Sequence, residues 1–361
     1  MKPKPSSSGI APIDVEAEAA ARARQQQLTK PPGALGRLED VACWFAARMR
    51  TPVPPMPRSE IFVFAADHGV AARGVSAFPQ SVTGQMLGNF ARGGAAINVL
   101  ASLADCRIEV VDVGVASEEP PPPGVRNERV RAGTRDLAAG PAMTQEELQA
   151  ALAVGERSAR KAIHRGAQLL IAGEMGIANT TAAACLICAF TGATPDRVVG
   201  RGTGLDDAGL ARKRNVVAAA LARVGWEVPL AGSGRTQAAM QMLGELGGLE
   251  IAAITGFYIE SARCGVPVLL DGFISTAAAL AAVAVEPAVL RWMLASHCSA
   301  ELGHRAALDA LGLDPLLDLE LRLGEGTGAA LSLPIIRAAL ALHGKMATFS
   351  EAGISGAAES G

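Results

Sequence analysis

Aromatic residues are scarce, at 4% of 361 residues, with nine Phe, three Trp and one Tyr. Half of the residues are nonetheless hydrophobic, and 40 are Gly. Small apolar side chains in these amounts favour closely packed helices on a sheet. The chain is long enough to bury a large core, as one big domain or as a large one beside a small one. An excess of either charge is missing too, with 33 basic against 35 acidic residues. The net charge is −2, which excludes the basic footprint of a nucleic-acid binder. Only six of the 33 basic residues are Lys, and the Arg residues are scattered rather than clustered. Long apolar runs are also lacking. The longest, Ile274 to Val285, falls short of the roughly 20 residues that span a bilayer, so no membrane partner is expected. The segment Met1 to Gly9 is polar and rich in Pro and Ser, without the apolar stretch of a signal peptide. Six irregularly placed cysteines read as the reduced thiols of a cytoplasmic protein. Cys185 and Cys188 form a C-x-x-C, but in an Ala-rich apolar run with no second pair, so they read as core cysteines on a helix.

Residues 1–9 and 350–361 read as loose tails, and Ser117 to Gly124, with Pro120 to Pro123, as a stiff exposed loop. No repeat of solenoid length is present. Ile13 to Leu28 reads as a helix that ends at the breaker Thr29-Lys-Pro-Pro-Gly33. Leu35 to Met49 reads as a second. Thr144-Gln-Glu-Glu147 matches a capping box and opens a helix to about Arg165. Four short apolar runs read as buried strands: Ile61 to Ala66, Ile108 to Val113, Leu169 to Ala172 and Val266 to Leu270. Short apolar strands alternating with helices predict an α/β fold, a parallel sheet with helices on both faces. In such sheets ligands gather at the carboxyl ends of the strands. Asp67-His68-Gly69, Gly173-Glu174-Met175-Gly176 and Asp271-Gly272 each follow a predicted strand.

Five segments carry candidate chemistry. In Leu321-Arg-Leu-Gly-Glu-Gly-Thr-Gly328 one carboxylate, Glu325, stands between two glycines, with the apolar, helix-like run Ala329 to Leu342 behind it. Glycines let the chain turn sharply and a ligand approach closely. A helix N-terminus supplies free N–H groups and a favourable dipole. A carboxylate there suits a general base facing a flat ligand; the competing reading is a tight turn with a solvated Glu. Gly173 to Thr181 joins a strand to a helix, with Asn179, Thr180 or Thr181 as its cap. This is either a phosphate cradle or an ordinary capped turn. Gly200-Arg-Gly-Thr-Gly204 precedes Asp206, Asp207 and Lys213, and Arg201 and Lys213 suit an anion unless the loop is simply solvated. Ser296 to His304 contains His297, Cys298, Glu301 and His304, but the spacing fits no common zinc motif. Val75 to Met86 mixes apolar Phe78 and Met86 with polar Ser76 and Gln85, which suits a flat heteroaromatic ligand or plain core packing.

Taken together and in order, these segments resemble the nicotinate-nucleotide:dimethylbenzimidazole phosphoribosyltransferase family. The resemblance runs from about Leu28 to His343. Its carriers are Lys30-Pro-Pro-Gly-Ala-Leu-Gly-Arg-Leu-Glu39, Ala66-Asp-His-Gly-Val70, Gly93-Gly-Ala-Ala-Ile-Asn-Val-Leu100 and Gly173 to Thr181. Further along they are Gly256-Phe257 through Asp271-Gly-Phe273, Ser296 to His304 and Leu321 to Gly328. Two departures stand out: Ala34 where the family usually has Ser, and Ala178 where it usually has Gly.

The resemblance implies a three-layer Rossmann-like large domain over residues 51–295. A small helical domain would be built from both chain ends, 10–50 and 296–349, in a cytoplasmic homodimer. It implies transfer of ribose 5-phosphate from nicotinate mononucleotide to 5,6-dimethylbenzimidazole, with inversion at the anomeric carbon. Glu325 becomes the base. Ser76, Phe78, Gln85, Met86 and Leu323 become the azole site. Glu174, Gly176, Asn179, Thr180, Thr181, Gly202, Lys213, Ser296 and Ser299 become the nucleotide and phosphate site. No cofactor or metal is expected, because the departing pyridinium carries its own positive charge. Two other readings remain open at this point: a transferase for another azole or phenolic base, and a nucleotide-binding regulator without catalysis.

Overall fold

The computed structural model describes residues 9–225 and 235–355. Two helices, α1 (Val15–Gln27) and α2 (Arg37–Met49), precede the first strand, β1 (Ser59–Ala66). Then come α3 (Ser81–Ala91), α4 (Ala96–Leu103), β2 (Arg107–Gly114), β3 (Val125–Asn127) and α5 (Gln145–His164). The middle of the chain holds β4 (Leu169–Met175), α6 (Asn179–Thr191), α7 (Pro195–Val198), α8 (Asp207–Arg223), α9 (Arg235–Leu246) and α10 (Leu249–Arg263). It closes with β5 (Val268–Leu270), α11 (Phe273–Val285), β6 (Met293–Ala295), β7 (His297–Cys298), α12 (His304–Leu311), β8 (Leu317–Asp318), α13 (Thr327–Lys345) and α14 (Phe349–Ala352).

Six strands pair in parallel in the order β3-β2-β1-β4-β5-β6. The chain lays strands outward from β1 to one edge, returns through α5, and lays the rest outward from β4. The direction therefore reverses between β1 and β4, and a crevice opens there at the carboxyl ends. Successive side chains point to opposite faces. Ile61, Val63 and Ala65 join a core with α2, α3, α4 and α13, whereas Phe62, Phe64 and Ala66 join one with α5, α6, α10 and α11. Every residue of β1 is buried, which is why it reads as an unbroken apolar run rather than an alternating one.

Several local expectations shift. Gly173, Glu174 and Met175 belong to β4 rather than to the turn after it, and Val266 precedes β5. The strands β3 and β6, and the small β7–β8 pair, are two or three residues long, too short to show a period. The expected tail from residue 350 includes most of α14, capped by a Thr348–Glu351 box. Residues 1–8 and 356–361 lie outside the described residues.

Helices from both ends of the chain meet. α1 packs on α2 and α2 on α13. The amide Nε2 of Gln25 meets Nδ1 of His343 at 2.8 Å, and Nε2 of the same ring reaches the Pro52 carbonyl at 2.8 Å. Leu28 pairs with Thr348 in an antiparallel bridge. α2 and α13 also cover one face of the sheet, so this assembly shares its core with the larger part. By length and composition α13 alone among the described helices is apolar enough to cross a membrane. Leu333, Ile336 and Leu340 spend its apolar side on the sheet and α2 instead. Cys185 and Cys188 are buried on α6, as expected of core cysteines, and burial pushes the Cys188 thiol up to about 12.

The crossover helix α5 lies directly on α10, and two glycines make this approach possible. A Cβ on Gly155 would stand 1.7 Å from the Ala253 carbonyl oxygen, and one on Gly256 would stand 2.2 Å from that of Leu152. Overpacking a tight core costs about 1–3 kcal/mol or more. Gly155→Ala is therefore expected to lower the unfolding free energy by an amount in that range, read as a lower urea midpoint at unchanged slope, and to leave turnover per folded molecule unchanged. An unshifted midpoint contradicts this account of the helix pair.

Candidate active site

The end of β5 fixes the turn that carries Glu325. Asp271 follows that strand and is buried. Its Oδ2 accepts the Gly326 N–H at 3.1 Å, and its Oδ1 accepts the Ala329 N–H at 3.0 Å. These are free donors at the start of α13, so a carboxylate from a different element caps the helix. Thr327 donates from both its N–H and its hydroxyl to the Gly324 carbonyl, at 3.0 and 2.7 Å. Glu325 itself has φ 64°, a left-handed value that costs an L-residue with a side chain roughly 1–2 kcal/mol. Gly173 in β4 makes room beneath: a Cβ there would lie 2.1 Å from the Glu325 carbonyl oxygen. The carboxylate is 5% exposed and its Oε2 has no hydrogen-bond partner. This overturns the alternative of a solvated turn residue. Burial raises its pKa, the Ile97 N–H opposes that shift, and the Asp271 charge adds to it.

Glu325 borders a cavity of about 330 Å³ at the β1/β4 crevice. Phe78, Val82, Met86, Ile177 and Leu323 supply an apolar wall. Glu174, Gly176, Asn179 and Thr180 line the side formed by the end of β4 and the start of α6. Gly202, Thr203, Ser299, Glu301 and Arg322 line the side reached from the loop before α8 and the segment after β7. The structure thus brings Glu325 together with Phe78, Met86, Leu323, Glu174, Gly176, Asn179, Thr180, Gly202 and Ser299.

Five of the residues expected from sequence do not line this cavity. Ser76 lies just outside, its hydroxyl 3.0 Å from that of Thr203. Lys213 stands behind Thr180, its Nζ donating to the Thr180 hydroxyl at 2.7 Å. Ser296 stands behind His297, with its hydroxyl 2.9 Å from Nδ1. Thr181 is fully buried with an unpartnered hydroxyl. Gln85, expected beside the azole, faces the other way along α3 and lines a separate cavity with Asp67, Pro120 and Arg129. The expected capping also fails. Ala178 is the N-cap of α6, at φ 75°, without a side-chain bond to the helix. Asn179 gives its amide to Glu174 instead, and the Thr180 hydroxyl accepts from Lys213.

The charges here are unusual. Burial pushes Glu174 up to about 8, with Glu250 and Asp271 adding to it and Asn179 opposing, so its protonated form prevails near neutral pH. Burial pushes Lys213 down to about 8, against the attraction of Glu301. His304 accepts the Ser299 N–H at Nδ1, 2.7 Å away, and stands 2.9 Å from the Thr276 hydroxyl at Nε2. Burial first, then His297, pushes it down to about 3. A neutral imidazole therefore fixes Ser299. Among the described residues no three His, Cys, Asp or Glu side chains form a metal-binding group.

Sequence reasoning gave Asp271, Thr203 and Arg322 no role, although each stands in a segment it singled out. For Asp271 the signal was its place directly after a buried strand. For Thr203 and Arg322 the side each loop presents to the cavity is settled only by the fold.

A phosphoribosyltransferase family model matches residues 10–354. The nicotinate-nucleotide–dimethylbenzimidazole phosphoribosyltransferase of Chromobacterium violaceum is 57% identical over 345 residues, covering 96% of this chain and 98% of that one. The enzyme of the same name from Thermus thermophilus is 54% identical, covering 95% and 99%. A crystal structure of the Thermus thermophilus enzyme superposes with a TM-score of 0.88 at 51% identity, over 95% of this chain and all of that one.

Two variants test the local geometry. At Ala178 the left-handed backbone costs a methyl-bearing residue roughly 1–2 kcal/mol, whereas the extra freedom of Gly in the unfolded chain costs about 0.5–1 kcal/mol. Ala178→Gly is therefore expected to raise the melting temperature slightly, and a lowered one contradicts the strain. Asp271→Ala leaves two N–H groups without their acceptor and is expected to remove about 1–3 kcal/mol of stability, together with most of the activity. Full activity in that variant is incompatible with Asp271 fixing the Glu325 turn.

Proposed function

The chain belongs to the nicotinate-nucleotide–dimethylbenzimidazole phosphoribosyltransferase family, and we propose that it moves ribose 5-phosphate from nicotinate mononucleotide to 5,6-dimethylbenzimidazole. The products are α-ribazole 5′-phosphate and nicotinate. The observation that carries this reading is Glu325: a buried carboxylate with a free oxygen, facing a half-apolar cavity at the switch point of a parallel sheet.

One azole nitrogen attacks the anomeric carbon as the bond to the pyridinium nitrogen breaks. The bonding pair returns to the ring, which leaves as a neutral pyridine and needs no acid. The other azole nitrogen gives its proton to Glu325. Attack opposite the leaving group inverts β to α. A base with a raised pKa transfers protons more effectively, and the desolvation around Glu325 provides that. Glu174, held protonated, adds a donor near the ribose rather than a competing negative charge. The azole lies along Phe78, Met86, Ile177 and Leu323. The phosphate lies toward Thr180, Gly202 and Ser299, where Arg322 and the helix start of α6 supply positive potential. Lys213 acts from behind through Thr180. We place this chemistry in a cytoplasmic homodimer.

Mixing nicotinate mononucleotide with dimethylbenzimidazole should release nicotinate, and no release refutes the reading. Glu325→Gln is expected to cut turnover about 10²–10⁴-fold, the usual worth of a general base, with little change in nucleotide binding. The ionised form is the active one, so activity is lost as the pH falls through the raised Glu325 pKa. The acid limb should therefore lie above the ordinary carboxylate range and vanish in the Gln variant. Turnover should also survive exhaustive chelation. Loss that a single divalent metal restores contradicts the one-base mechanism.

A further inference from the structure

Two walls of the cavity belong to different elements. The azole side carries Val82 and Met86 on α3, and the turn between β4 and α6 carries Gly176 on the nucleotide side and Ile177 at the apolar wall. One side chain joins them. Thr83, on α3 between Val82 and Met86, is fully buried. Its Oγ1 accepts the Ile177 N–H at 3.1 Å. The hydroxyl hydrogen is then free to point at Asp67, which follows β1 and whose pKa this hydroxyl helps to lower against the larger effect of burial. We propose that Thr83 is a positioning residue that couples the two substrate sides, through the Ile177 N–H···Thr83 Oγ1 hydrogen bond.

Within that turn the Asn179 N–H donates to the Gly176 carbonyl at 3.2 Å and the Asn179 amide to Glu174, but neither holds the Ile177 N–H. Gly176 rests on β1, where a Cβ would stand 2.3 Å from the Ala66 carbonyl oxygen. Ala178 adopts φ 75° and leaves the start of α6 without a side-chain cap. Ile177 lies between them, 4% exposed, so water cannot take over from Thr83. A buried donor without a partner is costly, and the turn can relieve that cost only by moving. Gly176 and Ile177 then move with it, and both line the cavity. α3 is tied a second time, because the Gln80 side chain donates to the His68 carbonyl at 3.4 Å. Loss of the Thr83 hydroxyl therefore frees the turn more than it frees the helix.

This inference rests on the transferase reading above, and its test separates the two. Thr83→Val keeps the shape and removes the hydroxyl. The KM for nicotinate mononucleotide is expected to rise about ten-fold or more, the equivalent of leaving one buried donor unpaired. The KM for dimethylbenzimidazole is expected to rise as well, and kcat to fall less than either KM rises. Thr83→Ser should return both constants toward the wild type. A merely structural role would lower the melting temperature and leave both KM values unchanged. Unchanged KM values in the Val variant, or a Ser variant no better than Val, overturn the proposal. Amide hydrogen exchange on the wild-type protein gives a readout independent of any variant or activity. The Ile177 N–H should exchange slowly, and exchange at the rate of an exposed amide overturns the tether. A wild-type protein with a protected Ile177 amide but no release of nicotinate would refute the transferase reading alone.

Discussion

The site depends on one carboxylate that does no chemistry. Asp271 reaches from the end of β5 to the first turn of α13 and accepts two of its free N–H groups. The Glu325 turn needs this anchor, because it holds a left-handed non-glycine residue and a buried carboxylate with one oxygen unpartnered. Neither is stable alone. The helix start pays for both, since its orphan donors would be unsatisfied without Asp271. Gly173 completes the arrangement from below by offering no side chain to the Glu325 peptide.

Around this turn, acidic groups converge with few cations to balance them. Glu174, Asp271 and Glu325 sit within one another's influence, and each is raised by burial. Low polarity makes several neighbouring anions unfavourable. The molecule resolves this in a graded way. Asp271 receives N–H groups and the influence of His297. Glu174 receives one amide and is held protonated. Glu325 is left with a free oxygen and a raised pKa, the condition a general base requires. The cavity is thus ordered by how much hydrogen bonding each carboxylate is given.

Much of this was legible in the chain. The strands β1, β2, β4 and β5, the capping box of α5 and the breaker after α1 follow from runs and punctuation that survive without tertiary context. Glu325 was legible because glycines flank it. What stayed hidden depends on distant contacts. The three-residue strands β3 and β6 are defined by their pairing with β2 and β5 and carry no pattern of their own. Asn179 and Thr180 have the right chemistry to cap α6, yet Glu174 and Lys213 claim their side chains first. Gln85 was misplaced because its spacing along α3 turns it away from the cavity that Met86 enters. A segment can be assigned to a site from its residue types, but the facing side of a helix is settled by packing.

The stitching of the chain ends has a mechanical meaning. α13 begins at the Glu325 turn and ends at His343 and Lys345, a rod of 19 residues, or about 28 Å at 1.5 Å per residue. Its far end is clamped to α1 through Gln25 and to the segment between α2 and β1 through Pro52. The first helix of the chain therefore holds one end of a lever whose other end carries the carboxylate of Glu325. Strain applied at α1 reaches the active site along a helix that lies packed on the sheet through Leu333, Ile336 and Leu340.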